Sequence, residues 1–427
     1  MLGMLMKQLY LIIGILLLAC CSCSRESIVD DKPTSITKED ALKTLRRFLA
    51  ETRATDQRII QSVETHYCSK DGAIEEADAY IVNFTNNEGF AILGANADVD
   101  EIVAVTESGH IDASTLEVSF CESGIVNRDT VSLKHAAFIK QIIESGLTSG
   151  KQGGHRDGGD IDWEEEDGPP GTGGGGGGNG GGSSYVTRSP MLTYSWGQQS
   201  PYNWYCFRTT LGGNTVNAYT GCSTTAMAMI VAYNEFPQTL TVNDTTLNWT
   251  LMKSEYTADD LSVMGKNHVA LLMGSIYNHV EKIATDGYTM ITPQQIKYRM
   301  EDYDYTNVVK LSDSDFTTDM VSAVSQMLSQ YKPVFISAIP GVDFSDAHSW
   351  VIDGAKYYYA SYLLHFNFGW QGSCNGYFSI SCMNPAHGIE YDNGYTYDEG
   401  DDYTYNWHFR VITYDIPEGY HSIPVTL

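Results

Sequence analysis

The feature that most constrains the fold is an acidic, glycine-rich stretch between residues 148 and 188. It contains the acidic run DIDWEEED at 160–167, and glycine occupies every position from 173 to 178. A segment of this composition buries too little apolar surface to fold, so the stretch is predicted to be a disordered linker. The linker divides the chain into an N-terminal part, 37–147, and a larger C-terminal part, 189–427.

Such linkers are preferred sites of proteolytic cleavage because their backbone is accessible. The sequence therefore predicts a maturation cut between residues 150 and 189. Arg188 would suit a trypsin-like processing enzyme, whereas Tyr185 and Val186 would suit cleavage by the protein itself. The sequence does not choose between these two routes.

The N-terminus, residues 1–19, has the pattern of an export signal peptide. Lys7 precedes an apolar run that is too short to span a membrane. The run ends in LLAC, which resembles a bacterial lipobox, so Ala19 would precede the cut and Cys20 would be acylated; an ordinary secretory signal is the alternative. The prediction is a lipoprotein whose tether, 20–36, holds it at the periplasmic or outer-membrane surface, with later release of the mature domain left open.

The overall charge excludes one class of partner. The formal net charge is −27, with 53 acidic against 26 basic residues, whereas nucleic-acid binding needs a basic face. The balance suits a soluble exported protein, and the sequence predicts no cofactor and no metal site. Disulfide bonds between Cys374 and Cys382, or between Cys68 and Cys121, are compatible with export, but the sequence does not assign them.

The N-terminal part is predicted to be a helix followed by a small sheet, with no catalytic set of its own. Thr37 is a candidate helix cap. The apolar residues after it recur at helical spacing: Ala41, Leu42, Leu45, Phe48 and Leu49. Alternating runs at 80–84 and 90–94 flank a turn and predict a β-hairpin. The pattern at 102–105 predicts a third strand, and that at 135–143 predicts a second helix.

The C-terminal part has a typical single-domain size, and its pattern changes from helix to strand near Pro333. Helices are predicted from Cys222 to before Pro237, over 266–283, from Pro293 and over 316–328. Strands are predicted at 333–338, 350–353, 363–368, 376–380 and 408–414. This is an α+β pattern, a helical half followed by a β half, and a substrate cleft is expected between the halves.

Residues 221–226 read GCSTTA and place Cys222 at the predicted start of a buried helix. The positive end of the helix dipole favours a thiolate there, so Cys222 is a candidate nucleophile. Gly221 permits a tight turn before it. A structural cysteine is the alternative, since free cysteines are among the most buried residues.

Three further residues complete a catalytic pattern. His348 begins the motif HSWVIDG, Asn367 begins NFGW, and Gln198 ends WGQ. His348 and Asn367 lie far downstream of Cys222, in the order expected of papain-like thiol proteases. Each residue alone has a structural explanation, but their joint occurrence in this order favours a thiol protease.

These four motifs resemble those of the streptopain family of bacterial cysteine proteases. The resemblance implies a papain-like, two-lobed protease domain at 189–427, with a helical lobe and an antiparallel β lobe, that acts on protein or peptide substrates. Residues 80–98 resemble the propeptide of that family, so a small α+β domain at 37–147 would cover the active site as an intramolecular inhibitor. An unrelated binding module is the alternative. Phe368 departs from the family, which often has tryptophan after the asparagine.

A role follows for each site residue. Cys222 would attack the peptide carbonyl and form a thioester, and His348 would take the thiol proton and later give it to the leaving amine. Asn367 would fix the imidazole by a hydrogen bond, and Trp370 would shield that contact from water. Gln198 and the backbone N–H of Cys222 would stabilise the oxyanion.

Two other functions remain open on the same scaffold. One is a catalytically silent surface lipoprotein that holds peptides, and the other is a transglutaminase-like acyltransferase that uses an amine in place of water. His365, close to Asn367, is expected to be structural. The acidic and aromatic stretch at 391–403 is expected to be a solvated loop, with a Ca²⁺ site as the alternative.

Overall fold

The computed structural model describes residues 35–52, 56–68, 76–96, 99–111, 186–211, 213–280, 283–285, 288–313, 316–339, 348–359, 361–380 and 408–417. Several predictions lie outside these residues: the signal peptide with Cys20, most of the tether, the helix at 135–143, the linker up to residue 185, and the loop at 391–403. Among the described residues, no helix is long and apolar enough to cross a membrane.

The described chain contains six α-helices. Their bounds are α1 Lys38–Thr52, α2 Cys222–Asn234, α3 Trp249–Met252, α4 Val263–Tyr277, α5 Pro293–Asp302 and α6 Thr318–Ser329. The sequence predicted all of these except the short α3. Helix α4 ends six residues before the predicted end, because its last turn closes at Asn278 while the apolar pattern continues to buried Val280.

The described residues also form sixteen strands. Their bounds are β1 Ile60–Cys68, β2 Glu76–Phe84, β3 Phe90–Gly94, β4 Ala104–Thr106, β5 Arg208–Leu211, β6 Asn214–Asn217, β7 Thr241–Val242, β8 Thr245–Thr246, β9 Ile283–Thr285, β10 Tyr288–Met290, β11 Thr306–Asp313, β12 Val334–Ile339, β13 His348–Tyr358, β14 Ser361–Asn367, β15 Gly376–Ser379 and β16 His408–Asp415. Each predicted strand overlaps one of these strands, but four predictions pass the observed ends: those at 102–105 and 333–338 begin two residues and one residue too early, and those at 363–368 and 376–380 end one residue too late. The predicted α+β class is therefore confirmed.

Ten of the strands form one antiparallel sheet in the order β1-β2-β3-β4-β15-β14-β13-β12-β16-β11. Strand β4 of the N-terminal part pairs directly with β15 of the C-terminal part, with Ala104 opposite Phe378 and Thr106 opposite Gly376. A Cβ on Gly376 would lie 2.3 Å from the Val105 carbonyl oxygen, so glycine permits this close pairing. The two parts on either side of the linker thus share one continuous sheet.

Helix α1 packs on one face of this sheet and contacts both parts of the chain. Thr37 caps it as predicted, because its hydroxyl accepts the Asp40 backbone N–H at 3.2 Å. The residues at helical spacing on its inner face are buried: Ala41, Leu45, Phe48 and Leu49. The Phe48 ring meets Tyr358 and Tyr377 of the C-terminal part edge-on, at 5.2 and 5.6 Å between centroids. These aromatic contacts hold α1 against the larger domain.

Helix α2 lies in the main core and is buried on nearly every side, as its small and apolar residues predict. Gly221 precedes it with φ +81°, and a Cβ there would lie 2.9 Å from the carbonyl oxygen of Thr289. Glycine is required at this position both by the backbone angle and by the approach of β10. The turn that Gly221 permits sets Cys222 at the first position of the helix.

Candidate active site

Cys222 is the first residue of α2 and has a partly buried, free thiol. Burial raises the pKa of the thiol. Ser349 and then Ser223 act in the opposite direction. The sulfur therefore lies among donors that stabilise a negative charge, at the positive end of a helix.

His348 is the first residue of β13 and is buried. Its Nε2 lies 3.0 Å from the backbone carbonyl oxygen of Phe368. Because a carbonyl only accepts, Nε2 carries the proton, and the other ring nitrogen, Nδ1, has the free lone pair of a base. The Trp370 ring lies against the imidazole at 4.5 Å between centroids, and Trp350 stacks nearly parallel to it at 5.9 Å.

The surroundings keep the imidazole neutral. Burial lowers the pKa of His348 to about 4, although the hydrogen bond to the Phe368 carbonyl acts in the opposite direction. With the raised pKa of the Cys222 thiol, this favours the uncharged thiol and imidazole over the ion pair. In this form of the chain the His348 imidazole can accept a proton, but the Cys222 thiol has not yet lost its proton.

Two serines connect the element that carries Cys222 to the element that carries His348. Ser223 follows the cysteine, Ser349 follows the histidine, and their hydroxyl oxygens lie 2.9 Å apart. Strand β13 also packs along α2. The structure thus brings together two residues that are 126 positions apart in the sequence.

Asn367 ends β14 and is buried, but its side chain does not hydrogen-bond the imidazole. Its Nδ2 donates to the Tyr194 carbonyl oxygen at 3.0 Å, and its Oδ1 accepts from the Ser195 hydroxyl at 2.8 Å. The amide therefore anchors the segment that leads to Gln198. Among the described residues, the backbone carbonyl of Phe368 takes the position at the imidazole that the sequence analysis gave to Asn367.

Asn375 fixes that carbonyl from the other side. Its Oδ1 accepts the backbone N–H of Phe368 at 3.0 Å, and its Nδ2 donates to the Ser195 hydroxyl at 3.2 Å. The Phe368 ring is buried and stacks on Trp370 at 5.0 Å. An aromatic residue thus occupies the core directly after Asn367.

Gln198 lies in a segment tied to the start of α2. Its carbonyl oxygen accepts the Thr220 N–H at 3.1 Å, and the Gly197 carbonyl accepts the Thr225 hydroxyl at 3.3 Å. The segment is held from the opposite side as well, since the Gln371 N–H donates to the Trp196 carbonyl at 3.1 Å. Gln198 therefore lies beside the turn that precedes Cys222 and is half-buried.

His365 lies in a buried ion cluster next to the site. Its Nδ1 is 2.6 Å from Asp353 Oδ1, and its Nε2 is 3.6 Å from a carboxylate oxygen of Glu107, in the N-terminal part. Burial alone would lower the pKa of His365, but Asp353 and then Glu107 outweigh it and raise the pKa to about 9. His365 is charged at neutral pH and holds structure together, as the sequence analysis expected.

Four residues of this site were not singled out by the sequence analysis: Ser195, Ser223, Ser349 and Asn375. Ser223 and Ser349 carry a weak signal, since each directly follows a predicted catalytic residue. Ser195 and Asn375 carry none, because their role depends on a loop after β14 returning to the segment before Gln198. Such a long-range contact leaves no periodic pattern in the sequence.

Two family models match the chain, each over a different range of residues. Residues 196–378 match the model of the Peptidase C10 family, and residues 33–122 match that of the Spi protease inhibitor family. The first match begins with the WGQ motif and includes the motifs of Cys222, His348 and Asn367.

Individual relatives are distant. The chain is 21% identical over 416 residues to the thiol protease/hemagglutinin PrtT of Porphyromonas gingivalis, an alignment that covers 89% of this chain and 42% of that protein. It is 24% identical over 350 residues to streptopain of Streptococcus pyogenes, covering 74% of this chain and 77% of streptopain. Among solved structures, a prointerpain A fragment of Prevotella intermedia matches with a TM-score of 0.48 at 21% identity, covering 82% of this chain and 98% of the fragment.

Proposed function

Because its C-terminal domain belongs to the Peptidase C10 family of cysteine-type endopeptidases, the streptopain family, and follows a Spi-type inhibitor domain, we propose that the chain is an exported zymogen. The mature hydrolase would cleave peptide bonds in protein or peptide substrates. The observation that carries this proposal is the meeting of the helix start at Cys222 with the strand start at His348, joined by the 2.9 Å bond between their neighbouring serines.

The reaction begins with proton transfer from the Cys222 thiol to Nδ1 of His348. The thiolate attacks the scissile carbonyl carbon and forms a tetrahedral oxyanion. The C–N bond then breaks, the imidazolium gives its proton to the leaving amine, and a thioester remains. His348 next takes a proton from water, whose oxygen attacks the thioester carbonyl carbon. As the C–S bond breaks, the acid is released and the imidazolium returns the proton to the sulfur.

We assign the oxyanion site to Gln198 and the backbone N–H of Cys222. Gln198→Ala should lower kcat about 100- to 1,000-fold with a smaller change in KM, because the lost donor acts on charge that develops in the transition state. Steady-state cleavage of a fluorescent peptide measures both constants. Gln199→Ala, at the exposed next position, is the matched control, and an equal loss in both variants would contradict the assignment.

The N-terminal domain would inhibit the enzyme until it is removed. It supplies four strands to the sheet whose other strands carry His348 and Asn367. Strand pairing, in addition to the linker, therefore attaches it to the protease domain. Asp100 accepts hydrogen bonds from the Ser361 and Ser379 hydroxyls of the protease domain. The Glu107 carboxylate adds a charge beside His365.

Replacing Asp100 by alanine should weaken the complex that remains after the linker is cut. Two buried hydroxyls then lose their acceptor, so we expect about 10- to 100-fold weaker inhibition. The measurement is the protein concentration at which activity appears when the trypsin-cut chain is diluted. Glu64→Gln, an exposed carboxylate in the same domain, should not move it, and an unchanged concentration with Asp100→Ala would contradict the inhibitory role of this contact.

Export and anchoring complete the proposal. The LLAC motif supports acylation of Cys20, which would hold the zymogen at the bacterial envelope, and cleavage between 150 and 189 would release the mature domain. Incorporation of a radiolabelled fatty acid into the full chain, and its loss on Cys20→Ser, tests this step. A chain that stays unlabelled and appears in the medium would instead have an ordinary secretory signal.

The proteolytic function is tested by labelling the full chain with a tagged epoxide inhibitor of thiol proteases, before and after brief trypsin treatment. We expect the label on the Cys222 peptide, with gain of caseinolytic activity on trimming and its loss on labelling. The peptides of the buried thiols Cys206 and Cys374 are internal controls. A trimmed chain that neither reacts nor cleaves casein would favour a peptide-binding protein, and amine incorporation without cleavage would favour an acyltransferase.

A further inference from the structure

The two serines that connect the catalytic elements have no part in the reaction described above. Ser223 and Ser349 are each 3% exposed, and their hydroxyl oxygens lie 2.9 Å apart. A pair of buried hydroxyls next to a reacting sulfur is costly unless its hydrogen bonds are satisfied. The partners of both hydroxyls therefore bear on their role.

The hydrogen bonds determine which hydroxyl donates. Ser223 Oγ lies 2.8 Å from the carbonyl oxygen of Ile291, which only accepts, so the single hydroxyl proton of Ser223 points there. Ser349 must then be the donor in the bond between the serines. Its proton is the mobile one, because rotation about the Cβ–Oγ bond exchanges one acceptor for another.

Because Ser223 directly follows Cys222, the bond between the serines places the Ser349 hydroxyl next to the cysteine, whose sulfur is a second acceptor. Ser349, through its backbone N–H and its hydroxyl, acts to lower the pKa of the thiol against the effect of burial, and Ser223, whose hydroxyl proton points to Ile291, adds its backbone N–H. The Ser223 N–H belongs to the first turn of α2, where backbone donors have no partner within the helix. A thiol can donate to a serine oxygen, whereas a thiolate only accepts.

We propose that Ser349 is a positioning residue that stabilises the Cys222 thiolate by turning its hydroxyl proton from Ser223 to the sulfur when the thiol proton leaves. Ser223, fixed by Ile291, holds the Ser349 hydroxyl ready in the resting state. No proton is transferred between these three side chains, since the thiol proton goes to Nδ1 of His348. The proposal rests on the proposed function, in which Cys222 is the nucleophile.

The test is the pH dependence of Cys222 alkylation by iodoacetamide in the full chain after trypsin trimming, read by mass spectrometry of the Cys222 peptide. Loss of a hydroxyl bond to a charged sulfur should raise the midpoint of the rate profile in Ser349→Ala by about one pH unit. The rate at a fixed pH below the midpoint falls about tenfold. Ser349→Thr, which keeps the hydroxyl, should restore the wild-type midpoint.

Ser275→Ala is the matched control, because Ser275 is also a buried serine, 4% exposed. Its hydroxyl bonds the Leu272 carbonyl and the Tyr303 hydroxyl. This variant should leave the midpoint unchanged. Ser223→Ala, a second variant, should raise the midpoint by less than Ser349→Ala does. An unshifted midpoint in both site variants overturns the proposal, even if proteolysis is slower. A wild type with an ordinary thiol midpoint and no proteolysis would instead refute the proposed function itself.

Discussion

Cys222→Ala is expected to abolish peptide-bond hydrolysis and to leave a folded chain. The sulfur is the atom that bonds the substrate carbonyl, and alanine offers no nucleophile in its place. Removal of the nucleophile from a comparable protease site costs about 10⁶-fold in kcat. The helix start should survive, because its first backbone hydrogen bond, from Thr225 N–H to the Gly221 carbonyl at 3.1 Å, does not involve the sulfur.

The measurement is kcat/KM for fluorescent casein after limited trypsin treatment, with circular dichroism to verify the fold. His348→Ala should cause a loss of similar size, and the double variant should be no slower than either single variant, because the two residues act as one unit. Cys206→Ala removes a different buried thiol and should retain activity. If Cys222→Ala still hydrolysed casein in the presence of a thiol-blocking reagent, Cys222 would not be the nucleophile.

Local patterns predicted most of the fold. Helix α5 is an example, since Pro293 occupies its first position and Thr292 forms a capping box with Gln295, all of which are neighbours in the sequence. The hairpin of β2 and β3 was predicted from alternating apolar residues for the same reason. Helix α2 was placed correctly because Gly221 and its unbroken small and apolar residues are local signals.

The pairing of β4 with β15 was beyond sequence reasoning. Each of these strands is short, and nothing in its residues indicates its partner. The pairing joins Val105 to Tyr377, on opposite sides of a linker that was read as separating two domains. The continuous sheet changes the expected mode of inhibition. Removal of the N-terminal domain must break strand–strand hydrogen bonds as well as the contacts by which that domain would cover the active site.

The contacts of the predicted site residues could not all be derived from the sequence. Asn367 was chosen by its position in a motif, and the structure places it in the site, yet its amide bonds Tyr194 and Ser195. The imidazole instead meets the backbone of Phe368. A backbone carbonyl is present at every residue, so no sequence pattern could have identified this one as the partner of His348.

The charged pair of Asp353 and His365 leads to the second large effect. Asp353 is 0% exposed and His365 is 3% exposed, and the second carboxylate oxygen of Asp353 accepts the Met191 and Leu192 N–H groups at 3.2 and 2.9 Å. Asp353→Asn has the same shape but no charge. Because it leaves the His365 charge buried without its main partner, we expect a loss of about 3–5 kcal/mol in the free energy of unfolding.

The loss should depend on pH in a defined direction. Folding raises the pKa of His365 to about 9, above its ordinary unfolded value of about 6.5. The stabilisation by Asp353 is therefore complete below about pH 6.5 and disappears as the pH rises through about 9, where the imidazole loses its proton. The difference between wild type and Asp353→Asn should accordingly be large at about pH 6 and much smaller at about pH 10.

Urea unfolding of the full chain at these two pH values measures the effect. Asp415→Asn is the control, because Asp415 pairs with Lys332 at 2.7 Å but is 46% exposed, and an exposed pair contributes only about 0–1 kcal/mol. A loss in Asp353→Asn that stayed the same at both pH values would show that the His365 charge is not involved. A loss that is larger at about pH 6 than at about pH 10 would show that a buried charge holds the segment leading to Gln198. Asp353→Asn should then also lower kcat, because the proposed oxyanion donor Gln198 moves with that segment.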